Sequence, residues 1–491
     1  MINCFKVSRF FLYLIPLGIV IVTTSTLFPF IVGKYVWFRT LVDLALIFFL
    51  LGLLFQDKLS EMSRRLLSVF KKPLVIAVSV FVFIFVLACF FGVDPKFSFW
   101  SNFERGEGGL QMIHLWLFFI LLILLFKDEK DWQRLFIIAI IGGLGMALYG
   151  VAASLKYVDA EIIIRDGPGG IKEQLLTGKG GPLYQAFRGF VGPPFSGPSY
   201  RFQGSIGNPA YVATYAIFMM FYVAYLLVSK YKNRLFSFGA SALWFLMVVF
   251  VAVFFAAATR GAFLGLIASV FVFVGYLAFS SRRWRKWLVV GGLGLVILVM
   301  LLIQFKNTPL VKSLPGSRIF DISISAETFQ TRWVIWGIAF SGFKERPILG
   351  WGPENFLNVF DGYFDPRYSI AAKGGFEWFD RAHSIYFDYL AETGILGFLS
   401  FLGIFAVFYW QFFSKTRINA EQKFLEADKR GNKQKSIVNS QRSIVSNALL
   451  FALPVAYLVQ GIVLFDVLPI YINIFLFLAF VSYKFNKQQY E

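Results

Sequence analysis

Residues 377–397 read EWFDRAHSIYFDYLAETGILG. Glu377, Asp380, Arg381 and His383 crowd the first seven positions, and from Ile385 onward apolar residues take over. A long polar loop here turns into a membrane helix, with Asp380, Arg381 and His383 at its mouth. His383 is one of only two histidines in the chain. Imidazole is the side chain whose ordinary pKa lies nearest neutrality, so it is a natural proton acceptor. Asp380 or Glu392 could orient it, and the sequence does not choose between them.

Working outward, the same apolar signal recurs along the whole chain. Hydrophobic residues make up 58% and charged residues 15%, against about 45–50% and about 25% in soluble globular chains. Aromatics reach 19%, with 62 Phe, which suits a lipid-facing surface. The chain therefore reads as an all-α polytopic membrane protein, a single integral domain over residues 1–491. Apolar runs lie near 10–32, 40–56, 73–92, 109–126, 135–155, 208–229, 236–258, 261–280, 287–305, 391–413, 445–463 and 467–483. Each is close to the roughly 20 residues that a span needs, giving about 12 transmembrane helices.

Alternating the sides sorts the connections. Arg64–Lys72, Lys127–Arg134, Lys230–Arg234, Arg282–Lys286 and Lys415–Arg442 are cation-rich and fall on one side, as the positive-inside rule expects of cytoplasmic segments. Both termini are then cytoplasmic. Residues 415–442 read as a basic cytoplasmic loop without a catalytic role. Two connections on the other side are long. Residues 156–200 form a Gly/Pro-rich outer loop with DGPGG, GKGGP and GPPFSGP. Residues 306–390 form a larger outer loop, whose stretch Thr331–Lys344 has apolar residues at helical spacing and predicts an amphipathic helix. Pro347 stops it, and GWGPENF at 350–356 predicts a tight glycine turn.

The outer side ought to be poor in arginine, yet Arg105, Arg165, Arg188, Arg201, Arg260, Arg318, Arg332, Arg346, Arg367 and Arg381 all fall there. Arg260 lies in the hairpin ATRGAFLG (258–265), where an arginine near the bilayer is costly unless it snorkels or faces a polar cavity. Guanidinium forks match phosphate oxygens and keep their charge when partly desolvated. Arg332 opens the amphipathic helix. Arg201 precedes FQGSIGNPAYVATY (202–215), where Asn208 is a plausible helix cap. Arg105, in NFERGEGGL (102–110), is a weaker candidate of the same kind. His114, inside a span, reads as a packing residue. Cys4 and Cys89 predict neither a disulfide nor a metal site. No HExxH, Cys cluster, close Asp pair or dinucleotide fingerprint occurs, so neither a metal nor a cofactor is expected.

The stretches RFQGSIGNPAYVATY, ATRGAFLG, TRWVIWGIAFSGFKERPILGWGPENF and FDRAHSIYFDYLAETGILGFLSFL, in this order, resemble the O-antigen ligase and O-antigen polymerase-like family of bacterial membrane proteins. The resemblance covers roughly residues 100–415. It implies a GT-C-like glycosyltransferase that moves a glycan from an undecaprenyl-diphosphate carrier to an acceptor, without a metal. The site would lie on the periplasmic or extracellular face of the inner (plasma) membrane. By motif match, the diphosphate-binding arginines fall on Arg260 and Arg332 and the essential histidine on His383. Arg201 is added as a diphosphate ligand, and Arg381, Asp380, Arg105 and Glu392 as supporting residues. Ser384 departs from the pattern, since many relatives carry Asn after the histidine. The acceptor stays open among another repeat unit, a lipid-anchored sugar and a protein Ser or Thr. A flippase for lipid-linked glycans and a non-catalytic polymer-binding protein are the readings from other classes.

Overall fold

A computed structural model describes residues 3–26, 28–55, 59–102, 105–154, 201–231, 237–281, 285–312, 314, 317–321, 327–367, 378–430 and 433–487. The outer loop 156–200, with Arg165 and Arg188, lies outside the described residues, as do Glu104 and Glu377.

The principal helices are α1 (Cys4–Leu14), α2 (Val32–Phe55), α3 (Pro73–Phe91), α4 (Gly109–Leu125), α5 (Glu129–Ser154), α6 (Pro209–Ser229), α7 (Phe238–Ala257), α8 (Arg260–Ser280), α9 (Arg285–Gln304), α10 (Glu327–Glu345), α11 (Ile385–Arg430), α12 (Lys433–Gly461) and α13 (Leu468–Lys487). Among the described residues ten helices are long and apolar enough to cross a membrane, and α4 is a shorter apolar one. The protein is an all-α polytopic membrane protein.

The run at 10–32 differs from its reading as one span. Pro16 has no N–H to continue the α-helical ladder, so α1 ends at Leu14 and Ile15–Val20 follow as a tighter 3-10 helix. Together they reach roughly 28 Å, about the hydrocarbon thickness, so the segment is long enough to cross as a broken helix. The polar stretch 415–442 also differs. Its backbone extends α11 to Arg430 and resumes as α12 at Lys433, so helix replaces most of the expected loop.

α10 spans the helix expected at 331–344. Ile335, Trp336, Ile338 and Ala339 are buried, whereas Trp333 and Phe340 remain exposed. Its outer face is therefore aromatic in part, not uniformly polar. The glycine turn after it is tied to a break in α11. Gly394 takes φ 62, which interrupts the helix and frees the carbonyls of Ala391 and Glu392. The amides of Trp351 and Gly352 donate to them at 2.9 and 2.8 Å. Gly350 and Gly352, at φ 70 and 93, let the chain fold back this tightly. Val93 N, just past α3, donates to Trp351 O at 2.8 Å. The turn 350–356 is thus bolted to the ends of α3 and α11.

Candidate active site

The DRAHS turn is held from two sides before its histidine is placed. Ala382 N donates to the buried Asp388 carboxylate at 2.6 Å, and Ile385 N donates to Leu464 O at 3.0 Å. Between these anchors His383 takes φ 55, a left-handed conformation uncommon for residues other than glycine. Phe379 and Phe465 meet its ring edge-on, with centroids at 4.9 and 5.1 Å. Its Nδ1 lies 3.2 Å from Arg381 O. A carbonyl only accepts, so Nδ1 carries the proton of the neutral ring and Nε2 keeps the lone pair. Burial, opposed by that hydrogen bond and assisted by Arg332, brings the imidazole pKa down to about 4. The ring is neutral at pH 7. Among the described residues, neither of the two acids that the sequence left open, Asp380 and Glu392, is hydrogen-bonded to the ring. Asp380 pairs with Arg105 at 2.6 Å, and Glu392 pairs with Arg381.

Arg381 is buried among three glutamates. It meets Glu392 at 3.0 Å, Glu107 at 3.4 Å, and Glu354 as well. Burial works against its charge, but the three carboxylates outweigh it and hold the guanidinium protonated. These acids come from the loop before α4, the turn 350–356 and α11. Arg381 therefore locks three segments together beneath His383, and it does not line the cavities described next. Glu107 does line one. Burial raises its carboxyl to about 8, with Glu354 adding to the shift.

Two cavities open on one end of the bundle. The larger, about 480 Å³, is lined by Arg105, Glu107, Tyr211 and His383, with apolar walls from Ile206, Phe465 and Leu468. The smaller, about 120 Å³, is lined by Arg260, Arg318, Thr259 and Gln460. Arg201 and Arg332 line both. Of the expected diphosphate ligands, Arg201 and Arg332 thus meet His383 in one cavity, and Arg260 faces the adjoining one.

The arginines are arranged unequally. Arg201 donates to Ala257 O at 3.0 Å and to Thr259 Oγ1 at 2.6 Å, which fixes it to the hairpin. Burial and the neighbouring Arg318, Arg260 and Arg332 lower its pKa to about 10. Arg260 bonds Asp321 at 2.8 Å, an acid shared with Lys306 at 2.7 Å. The Nε of Arg332 is buried and, among the described residues, has no acceptor. Burial, then Arg260, lowers its pKa too. Cations crowded until they depress one another form a place that an anion would relieve. Ser384 Oγ, at the departure from the family pattern, is also buried without a partner among the described residues.

Sequence reading named Arg318 without assigning it to the site, and it gave no role to Glu107, Glu354, Phe465 or Gln460. Arg318 carried a signal, being one more arginine on an acid-poor side. The others become visible only through contacts between distant segments. Among the described residues, no three His, Cys, Asp or Glu side chains are grouped to hold a metal ion.

The fold and this site define a class: a multi-pass membrane protein with a cation-lined opening beside a neutral imidazole. Residues 245–402 match the family model described as O-Antigen ligase, which supports an O-antigen ligase-like family for this part of the chain. The matched segment contains Arg260, Arg318, Arg332, Arg381, His383 and Glu392, while Arg105, Arg201 and Gln460 lie outside it. The match supports glycan transfer of the ligase or polymerase type. A search of curated proteins finds no match.

Proposed function

We propose that the protein is an inverting, metal-independent glycosyltransferase that moves a glycan from undecaprenyl diphosphate to an acceptor hydroxyl. The diphosphate occupies the smaller cavity, against Arg201, Arg260, Arg318 and Arg332. The acceptor enters the larger one, beside His383. The observation that supports this reading is that Arg201 and Arg332 line both cavities, so a diphosphate bound in one would lie next to an acceptor hydroxyl bound in the other.

The acceptor oxygen attacks the anomeric carbon as the bond to the diphosphate oxygen breaks, and its proton passes to His383 Nε2. Undecaprenyl diphosphate leaves with the bonding pair. It needs charge stabilisation more than protonation, and fixed guanidinium groups supply that. A single in-line displacement inverts the anomeric centre. Both termini lie in the cytoplasm of a bacterial cell, and the cavities open on the periplasmic or extracellular face.

The test is transfer by purified protein from an undecaprenyl-diphosphate glycan to separately supplied glycan, lipid-anchored and peptide acceptors. His383→Ala is expected to bind donor within a few-fold of wild type and to lose transfer by about 10²–10⁴-fold, the usual contribution of a general base. Arg332→Ala is expected to lose donor binding. Undiminished transfer by His383→Ala would defeat the reading, and retained translocation of lipid-linked glycan by that inactive variant would point to a flippase.

A further inference from the structure

The smaller cavity holds a group that the reaction above leaves idle. Gln460, at the end of α12, is only 1% exposed, and it lines the cavity together with the arginines. Small residues bring it there. α8 begins RGAFLG, so Gly261 and Gly265 lie about one turn apart on the same face, the spacing that lets helices pack closely. Gly265 abuts the Ala456 carbonyl and the Gln460 Cβ, and Gly261 abuts Val463. This close approach brings the arginine hairpin against the carboxamide.

The hydroxyl of Thr214, on α6, donates to Gln460 Oε1, which turns Nε2 the other way. Nε2 is buried and has no acceptor among the described residues. Arg332, whose Nε is a second such donor, lines the same cavity. Leaving buried N–H groups unmade is costly, and anionic oxygens in the cavity would satisfy both.

We propose that Gln460 is a donor-binding residue whose Nε2 hydrogen-bonds a phosphate oxygen of the lipid diphosphate. This rests on the diphosphate reading of the cavity. A carboxamide supplies what a fifth guanidinium would not, a donor that adds no repulsion among crowded cations. If the carboxamide were turned over, Thr214 would donate to Ala210 O at 3.1 Å and accept from Nε2. Gln460 Oε1 would then take the place of Nε2 and, able only to accept, would oppose a phosphate.

Inorganic pyrophosphate and undecaprenyl diphosphate are titrated separately into the full-length protein in detergent, with thermal unfolding of every variant recorded. Gln460→Leu is expected to weaken both ligands by roughly 10–100-fold, the range for one lost hydrogen bond to a charged acceptor. Gln460→Glu is expected to weaken them at least ten-fold further through repulsion. Gln460→Asn, which withdraws the amide by one methylene, should match Gln460→Leu. If Gln460→Glu does not fold, Gln460→Leu and Gln460→Asn decide. Wild-type affinity in Gln460→Glu, or in both Gln460→Leu and Gln460→Asn, overturns the proposal while Arg332→Ala still loses binding. If wild type binds neither ligand, or Arg332→Ala binds as wild type does, the diphosphate reading itself falls.

Discussion

As the proposed base, His383 is unusual because its surroundings weaken it. Burial takes the imidazole to about 4, and Arg332 and Arg105 add to the fall. A pKa below the ordinary 6.5 means that the neutral form persists on acidification, and protonation sets in only as pH approaches 4. The free protein should therefore keep its base competent across pH 5–8. A bound diphosphate would offset the two guanidinium charges and raise the pKa, improving the base once donor is present. In kcat/KM for donor, the acid limb is expected well below pH 6, and in kcat it should lie at higher pH than in kcat/KM. Initial rates from pH 4.5 to 8, with controls for recovery after each exposure, check this. A fall in kcat/KM centred near 6.5 would mean that the imidazole is solvated as in a free peptide. The left-handed backbone at His383 belongs to the same design, since it aims the ring between Phe379 and Phe465. The histidine was legible in the sequence because a titratable group stood at the edge of an apolar run. The part played by Arg381 was not. Two residues before His383 in sequence it read as a site residue, but it is bound by Glu107, which lies 274 residues away, and by Glu354 and Glu392.

Between elements, the decisive contact is α8 on α12. A Cβ at Gly265 would stand 2.6 Å from the Ala456 carbonyl oxygen and 3.3 Å from Gln460 Cβ. A backbone oxygen cannot turn aside, so the helices would have to separate. At Gly261 a Cβ would meet chiefly a methyl of Val463, a partly buried side chain and not backbone. Gly265→Ala is therefore expected to cost about 1–3 kcal/mol, as overpacking usually does, and to weaken donor binding by moving Arg260 away from Gln460. Gly261→Ala should do less of both. Thermal unfolding together with pyrophosphate titration tests the pair, and equal behaviour of the two variants would remove the close packing as the device that builds the cavity. The apolar run of α8 was plain from hydropathy. Its partner was not, because hydropathy fixes the length of a helix and leaves its neighbours open. The first run failed for a related reason: apolar content concealed Pro16, which ends α1 at Leu14.

Across the whole molecule, charge and depth predict a side for the proposed site. The fold class was legible because a membrane demands long apolar runs whatever their order, and the arginines were conspicuous for standing where cations are scarce. The shape of the site needed the tertiary structure, since its walls come from loops before α4, α6 and α11 and from the hairpin before α8. Those loops share one end of the bundle. At that end Val93, just past α3, is joined to Trp351. Lys71 and Lys72 precede the other end of α3, about 28 Å away along a 19-residue helix. The positive-inside rule predicts that the lysine end faces the cytoplasm, which would leave the cavities outside. With Cys4 and Cys89 replaced, Trp378→Cys and Lys71→Cys would each carry a single thiol, and both positions are exposed. A membrane-impermeant maleimide applied to intact cells is expected to label Trp378→Cys, and to label Lys71→Cys only after permeabilisation. The opposite pattern would place the cavities in the cytoplasm, away from the face on which the proposed transfer takes place. Labelling of both positions in intact cells would break the assignment of α3 as a span, and with it the separation of basic loops from arginine-lined cavities.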